Sequence, residues 1–206
     1  MNPIILTRLA VLFSFRRELY YVALTFILIL LLPILAVVTF TNAGFNALSN
    51  KLATINLNTH TIQLRNPATG AVIKNITQQV SWPLVGDITL EFGESDLPYQ
   101  PFHNGIDIAG NIGDPVTAFM DGKVLYAGEI NWGYGKHIII DNGNNVNSIY
   151  AHLNTIDVTK GDEVHEGDQI GTVGKTGWAT GPHLHFQINV YGIPVNPRTF
   201  LGDNNP

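Results

Sequence analysis

Four of the seven histidines fall in three short clusters: His103-Asn-Gly-Ile-Asp107, Tyr150-Ala-His152-Leu153 and Gly181-Pro-His183-Leu-His185-Phe186. In a β-strand, residues i and i+2 face one side, about 7 Å apart along the chain. On a strand, one of His183 and His185 can bind a metal while the other stays close to the metal's water. The spacing does not say which does which. His103 and Asp107 are four apart, about 13 Å along a straight strand. They share one ion only if the backbone turns between them, and Asn104-Gly105 suits such a turn. Two His and one Asp with the fourth position left to water make a catalytic rather than a structural zinc site. Tyr150 and His152 alternate onto one face of a strand that can carry His152 to the same place. Singly, each of these clusters has an ordinary packing explanation; together, with glycine turns beside them, they point to one metal.

The elements that must position these side chains are short strands. From residue 81 onward, apolar runs at 116–120, 123–127, 137–140, 147–151, 169–173 and 185–190 are separated by Gly, Asp and Asn turns. Asp141-Asn-Gly-Asn-Asn145 is a strong hairpin signal, because Asn-Gly readily takes positive φ. No run of eleven residues after position 81 keeps helical periodicity free of Gly or Pro. The expectation is an all-β domain, an antiparallel sandwich or open barrel, over residues 81–206. A weak echo, Gly113-Asp114, Gly161-Asp162 and Gly167-Asp168, opens or precedes strands. Similar punctuation occurs in lipoyl- and biotinyl-type hairpins, but Lys123 after Met120-Asp-Gly122 is not in the context of a lysine that carries such a cofactor.

Charge divides the rest of the chain. Residues 1–18 carry three Arg and one Glu, net +2, and are expected to be cytoplasmic; residues 41–206 carry 8 basic and 15 acidic side chains, net −7. Between them, residues 19–40 hold no charge. A helix of 22 such residues spans roughly 33 Å, enough for a hydrocarbon core of about 30 Å. Tyr20 and Tyr21 sit where an aromatic belt would be, and Arg16 and Arg17 precede the run. The positive-inside rule then places the N-terminus in the cytoplasm and everything after residue 40 outside, as a single-pass protein of the cell membrane. A cleaved signal peptide would have a shorter apolar region, about 7–15 residues, and Thr41-Asn42-Ala43 is a poor cleavage site. Residues 41–80 read as an extracytoplasmic linker with a β-hairpin, 61–65 and 71–75 around the turn 66–70. The chain has no Cys, which excludes disulfides, thiolate zinc sites and a Cys nucleophile. A net charge of −5 gives no electrostatic support to nucleic-acid binding. His60, His137 and His165 read as ordinary surface, strand and loop residues.

Residues 99–200 resemble the lysostaphin/LytM-type zinc metallopeptidases, which cut peptide bonds in bacterial peptidoglycan. The resemblance is carried by His-Asn-Gly-Ile-Asp-Ile-Ala at 103–109, Gly-Asp-Pro-Val-Thr-Ala at 113–118, Asp-Gly-Lys-Val at 121–124 and Tyr-Ala-His-Leu at 150–153. Gly-Asp-Gln-Ile-Gly at 167–171, Thr-Gly-Pro-His-Leu-His-Phe at 180–186 and Pro-Val-Asn-Pro at 194–197 complete it. It implies a LytM-like peptidase fold, with Zn2+ held by His103, Asp107 and His185. It also implies that His152 and His183 are a catalytic pair outside the metal's ligands. By the general chemistry of such sites, one of the pair would remove a proton from the attacking water, and the other would stabilise the oxyanion or protonate the leaving amine. The expectation is His183 as the base and His152 as the second residue. Gln187 departs from the family, where Glu is common, with a mild effect expected. The family's upstream Tyr has only Tyr99 as a weak counterpart. The expected function is a membrane-anchored zinc metalloendopeptidase acting on cell-wall peptidoglycan. The alternative is a non-catalytic wall-binding or scaffold domain of the same fold that regulates other proteins.

Overall fold

The computed structural model describes residues 3–56, 61–77, 80–94 and 102–202; His60 and Tyr99 lie outside the described residues. The chain divides into two compact units, Met1–Thr41 and Asn42–Pro206. Helix α1 (Pro3–Leu52) contains Pro33 and continues from the first unit into the second. In the first unit, the side chains of Leu19, Tyr20, Tyr21, Phe26, Ile27 and Leu28 through Leu32 are exposed. Thr25 and Thr39 donate their hydroxyls to the carbonyls of Tyr21 and Leu35, at 2.7 and 2.9 Å. Both polar groups are thus satisfied within the helix itself. Among the described residues no helix is long and apolar enough to cross a membrane.

The second unit is built from antiparallel sheets. Strands β1 (Ala53–Asn56), β2 (Thr61–Arg65) and β3 (Val72–Ile76) form a three-stranded sheet in that order. The hairpin expected around 66–70 is β2–β3, and β1 extends it. The remaining strands are β4 (Ile88–Leu90), β5 (Ile106–Ala109), β6 (Pro115–Thr117), β7 (Gly122–Glu129), β8 (Lys136–Asp141), β9 (Val146–Ala151), β10 (Leu153–Ile156), β11 (Glu163–Val164), β12 (Gln169–Val173), β13 (His183–Val190) and β14 (Ile193–Val195), followed by the short helix α2 (Arg198–Leu201). A large sheet runs β11-β7-β8-β9-β13-β5-β4, with β14 also paired to β13; a smaller one runs β10-β12-β6. The mostly β architecture agrees with the expectation for residues 81–206. The unit also takes in the end of α1: the Phe45 ring lies 4.9 Å from Phe102, and the Asn196 amide donates to Ser49 Oγ at 2.9 Å.

Alternation along β13 shows why the fold presents a site. Leu184, Phe186, Ile188 and Val190 are all fully buried and belong to one hydrophobic core with Ile106, Ile108, Val116, Phe119, Tyr150 and Ile170. Each such side chain contributes about 1.5–3 kcal/mol when removed from water. The period of two then puts His183, His185 and Gln187 on the opposite face. Within the core, the Tyr150 hydroxyl accepts the Phe119 amide at 2.9 Å, and burial pushes its ionisation well above the usual phenol range. The three Gly-Asp echoes are one repeated turn. Gly113, Gly161 and Gly167 have φ of 98°, 101° and 86°. The following Asp114, Asp162 and Asp168 carboxylates accept the amides of Asn111, Thr159 and His165 at 2.7–2.8 Å.

Candidate metal centre

Strand pairing sets the first two ligand positions. The register of β13 on β5 places His185 directly opposite Asp107, and the two side chains project from the same face of the sheet. His185 Nδ1 lies 2.8 Å from Asp107 Oδ1. His103 joins them because the chain turns between it and β5. Gly105 sits where a Cβ would fall 2.3 Å from the Phe186 carbonyl oxygen, so a residue without a side chain is needed for that approach. His103 Nε2 comes within 3.0 Å of both Asp107 Oδ1 and His185 Nδ1. His103 and His185 are buried, and Asp107 is nearly so.

The outward nitrogens of the two rings are engaged. His103 Nδ1 faces the Glu91 carbonyl at 3.2 Å. His185 Nε2 faces the Gln187 side-chain oxygen at 3.5 Å. Only N–H groups can donate to those two oxygens, so the inward His103 Nε2 and His185 Nδ1 carry lone pairs. Two imidazole lone pairs and a carboxylate oxygen within 3 Å of each other repel unless a cation or a proton stands between them. Burial pushes the Asp107 carboxyl up, but when a proton rather than a cation fills that gap, the hydrogen bonds and charge of protonated His103 and His185 outweigh it and hold the group well below the usual carboxylate range. The donor set suits zinc: nitrogen and oxygen ligands at about 2.0–2.1 Å span tetrahedron edges of about 3.3 Å, a few tenths longer than those seen here. Among the described residues, this trio is the only group of three or more His, Cys, Asp or Glu that could hold a metal.

Two further histidines border the trio. His183 Nε2 lies 3.6 Å from Asp107 Oδ2, and its Nδ1 donates to the Gly181 carbonyl at 2.9 Å. The His152 ring is 4.8 Å from that of His183 and 5.9 Å from that of His185. Its Nδ1 donates to the Thr176 carbonyl at 2.8 Å. Both rings therefore keep Nε2 free for chemistry. His152 has φ of 62°, a left-handed conformation that costs a non-glycine residue about 1–3 kcal/mol. It is held there by its amide, which donates to the Tyr134 carbonyl at 2.9 Å, as well as by Thr176. Burial first, then the charges of His185 and His183, push the His152 ring down to about 4, so it is neutral at pH 7.

The five residues singled out in the sequence thus meet at one place, and the geometry chooses between the members of the His-x-His pair: His185 points into the trio. Several contributors carried no sequence signal as site residues. Tyr134 donates its hydroxyl to Gln187 Oε1 at 2.8 Å. Burial raises its ionisation, opposed by side-chain hydrogen bonds to Asn104 and Gln187. Gln187 is only 3% exposed and also donates to Asn189 Oδ1 at 2.8 Å. Thr176 acts through a backbone carbonyl, which no residue type announces. His137 is buried and stacked on Tyr126 at 4.5 Å; His165 is exposed beside Asp168.

Residues 101–197 match the model described as peptidase family M23. Residues in this part of the chain are 41% identical over 120 residues to the murein hydrolase activator NlpD of Escherichia coli, covering 58% of this chain and 30% of that protein. They are 44% identical over 95 residues to the DD-carboxypeptidase/endopeptidase Mpg of Neisseria meningitidis, covering 46% and 22%. This chain spans less than a third of the length of these curated relatives. Among solved structures, the catalytic domain of the antimicrobial peptidase lysostaphin from Staphylococcus simulans superimposes with a TM-score of 0.54 at 34% identity, covering 57% of this chain and 93% of that one.

Proposed function

This chain belongs to peptidase family M23, and we propose that it is a zinc metalloendopeptidase that hydrolyses peptide bonds in bacterial cell-wall peptidoglycan. The observation that carries this reading is the convergence of three lone-pair donors, on His103, Asp107 and His185, beside two histidines whose Nε2 atoms are uncommitted. M23 peptidases are zinc-dependent. When bound, zinc lowers the pKa of a coordinated water and polarises a carbonyl.

His183 takes the proton of the attacking water at Nε2. The Asp107 carboxylate 3.6 Å away favours the imidazolium that results. The hydrogen bond from Nδ1 to Gly181 holds the ring while this happens. His152 stands on the other side, fixed by Thr176 and Tyr134, and serves the oxyanion or the leaving amine through Nε2.

The same reading places residues 1–18 in the cytoplasm, residues 19–40 across the cell membrane and the peptidase outside. It is supported by the uncharged run at 19–40, by Arg16 and Arg17 before it, and by the internally satisfied hydroxyls of Thr25 and Thr39. A wall polymer facing that membrane is a fitting substrate for an anchored enzyme.

A second reading is suggested by the similarity to a murein hydrolase activator: a domain that regulates other wall hydrolases without cutting. The intact metal trio and both flanking histidines favour the enzyme. The experiment is digestion of purified peptidoglycan by the protein, with and without a chelator, the fragments identified by mass. New peptide termini that vanish with the chelator and return with zinc are expected. Digestion only when another hydrolase is added would establish the second reading instead.

A further inference from the structure

We propose that Trp132 and Trp178, on the loops that hold His152, form an aromatic platform that binds a pyranose ring of the glycan strand; the proposal rests on the peptidoglycan reading above. Tryptophan is on average highly buried, yet these two indoles are 64% and 73% exposed. Their ring centroids are 6.3 Å apart and their planes are tilted by 57°, so they form one aromatic platform rather than two isolated side chains.

The platform is rigid and tied to the site. The Trp178 amide donates to the Gly133 carbonyl at 2.8 Å. Gly135 and Gly177 let the two loops meet backbone to backbone: a Cβ on Gly177 would fall 2.3 Å from Gly133 O, and one on Gly135 would fall 2.4 Å from Thr176 C. Lys136 N–H donates to Thr176 Oγ1 at 2.9 Å, and Thr176 Oγ1 donates to the Leu153 carbonyl at 3.0 Å. Trp132 is two residues before Tyr134, and Trp178 is two residues after Thr176. Those are the residues whose carbonyls hold His152. Two residues span at most about 7 Å, so the backbone that carries the indoles is the backbone that holds His152. A preorganised surface loses little entropy on binding.

The chemistry selects the sugar. At these exposures two indoles offer at most about 350 Å². That is less than half of the roughly 800 Å² per partner of a stable protein interface, but enough for a ring or two. Peptidoglycan joins pyranose rings to short peptides. A pyranose presents a face of C–H bonds that matches the negative face of an indole; a peptide group is planar too, but its flat faces carry no C–H bonds.

The test uses the full-length protein in detergent, with N-acetylglucosamine oligomers as a peptide-free probe and free stem peptide as a sugar-free one. Wild type should bind the oligomer with a change in tryptophan emission, and W132A and W178A should each weaken it about tenfold or more. W132F and W178F, which keep an aromatic face, should restore much of the binding. For cleavage, the ratio of kcat/KM on intact peptidoglycan to that on stem peptide should fall about tenfold in the alanine variants. The platform is overturned if the oligomer does not bind, if the alanine variants bind it normally, or if they leave that ratio unchanged. Oligomer binding that needs both indoles, in a protein that cuts neither substrate, would uphold the platform while refuting the peptidase reading.

Discussion

Replacing Gln187 by Leu tests whether the metal trio is held in shape by the residues behind it. Gln187 Oε1 accepts the Tyr134 hydroxyl at 2.8 Å and faces His185 Nε2 at 3.5 Å. The first contact is a full hydrogen bond; the second is at the long limit. Leucine keeps the volume and removes the acceptor. At 3% exposure the position leaves little room for water to replace it. His185 then loses the partner that keeps its proton on Nε2, and the tautomer with the proton on Nδ1 cannot ligate. Losing such a partner lowers metal affinity by about 10–100-fold, or about 1.4–2.7 kcal/mol. The long contact puts the expectation at the lower end, about tenfold. Gln187→Glu should bind zinc at least as tightly as wild type, because a carboxylate accepts more strongly and the Asn189 amide can turn to face it. Zinc affinity of the metal-free proteins at neutral pH, measured by competition with a chromophoric chelator, decides the matter. If Gln187→Leu binds zinc within twofold of wild type while remaining folded, the reasoning is refuted.

Further outcomes follow from other parts of the structure. His152→Ala and His183→Ala should each abolish peptidoglycan cleavage while retaining about one zinc per chain by metal analysis, because neither belongs to the trio. Loss of zinc from both would move them into the coordination set. Tyr150→Phe leaves the buried Phe119 amide without its acceptor and should cost about 1–3 kcal/mol of stability, read as a lower Tm or denaturant midpoint with zinc affinity unchanged. Removing residues 1–41 should shift the protein from the membrane fraction to the soluble one while the unit from Asn42 onward stays folded. Continued sedimentation with membranes after that truncation would place the anchor elsewhere.

The fate of the two HxH histidines shows what a sequence can and cannot settle about this site. Period two was enough to put His183 and His185 on one face, and the glycine after Asn104 was enough to mark a turn that could fold His103 back on Asp107. Neither signal could choose the ligand between the paired histidines. That choice is made by the register of β13 on β5, which sets His185 against Asp107 across a separation of 78 residues. It is reinforced by Gln187 and Gly181, which engage opposite nitrogens of the two rings. Sequence periodicity is local and register is not. The longer strands β7, β8, β9, β12 and β13 were legible for the same reason. The short β6 falls within the run read at 116–120 and β11 follows the Gly161-Asp162 turn, but β4 and β14, of three residues each, are too short to show a period. They exist because neighbouring strands offer them hydrogen bonds.

The residues that fix His152 escape sequence reading for a different reason. Tyr134 and Thr176 hold it with backbone carbonyls, and every residue except its side chain looks alike to a carbonyl. What the sequence does carry is the permission for those contacts. Gly133, Gly135 and Gly177 all have positive φ, and the last two would clash with the facing loop if they bore a side chain. The glycines bring two loops close enough for one carbonyl to hold the His152 ring and the other its backbone amide. That grip keeps His152 in a left-handed conformation that an isolated strand end would relax. The position of this ring beside the metal trio is therefore a property of three glycines at a distance, not of the Tyr-Ala-His-Leu segment in which it lies.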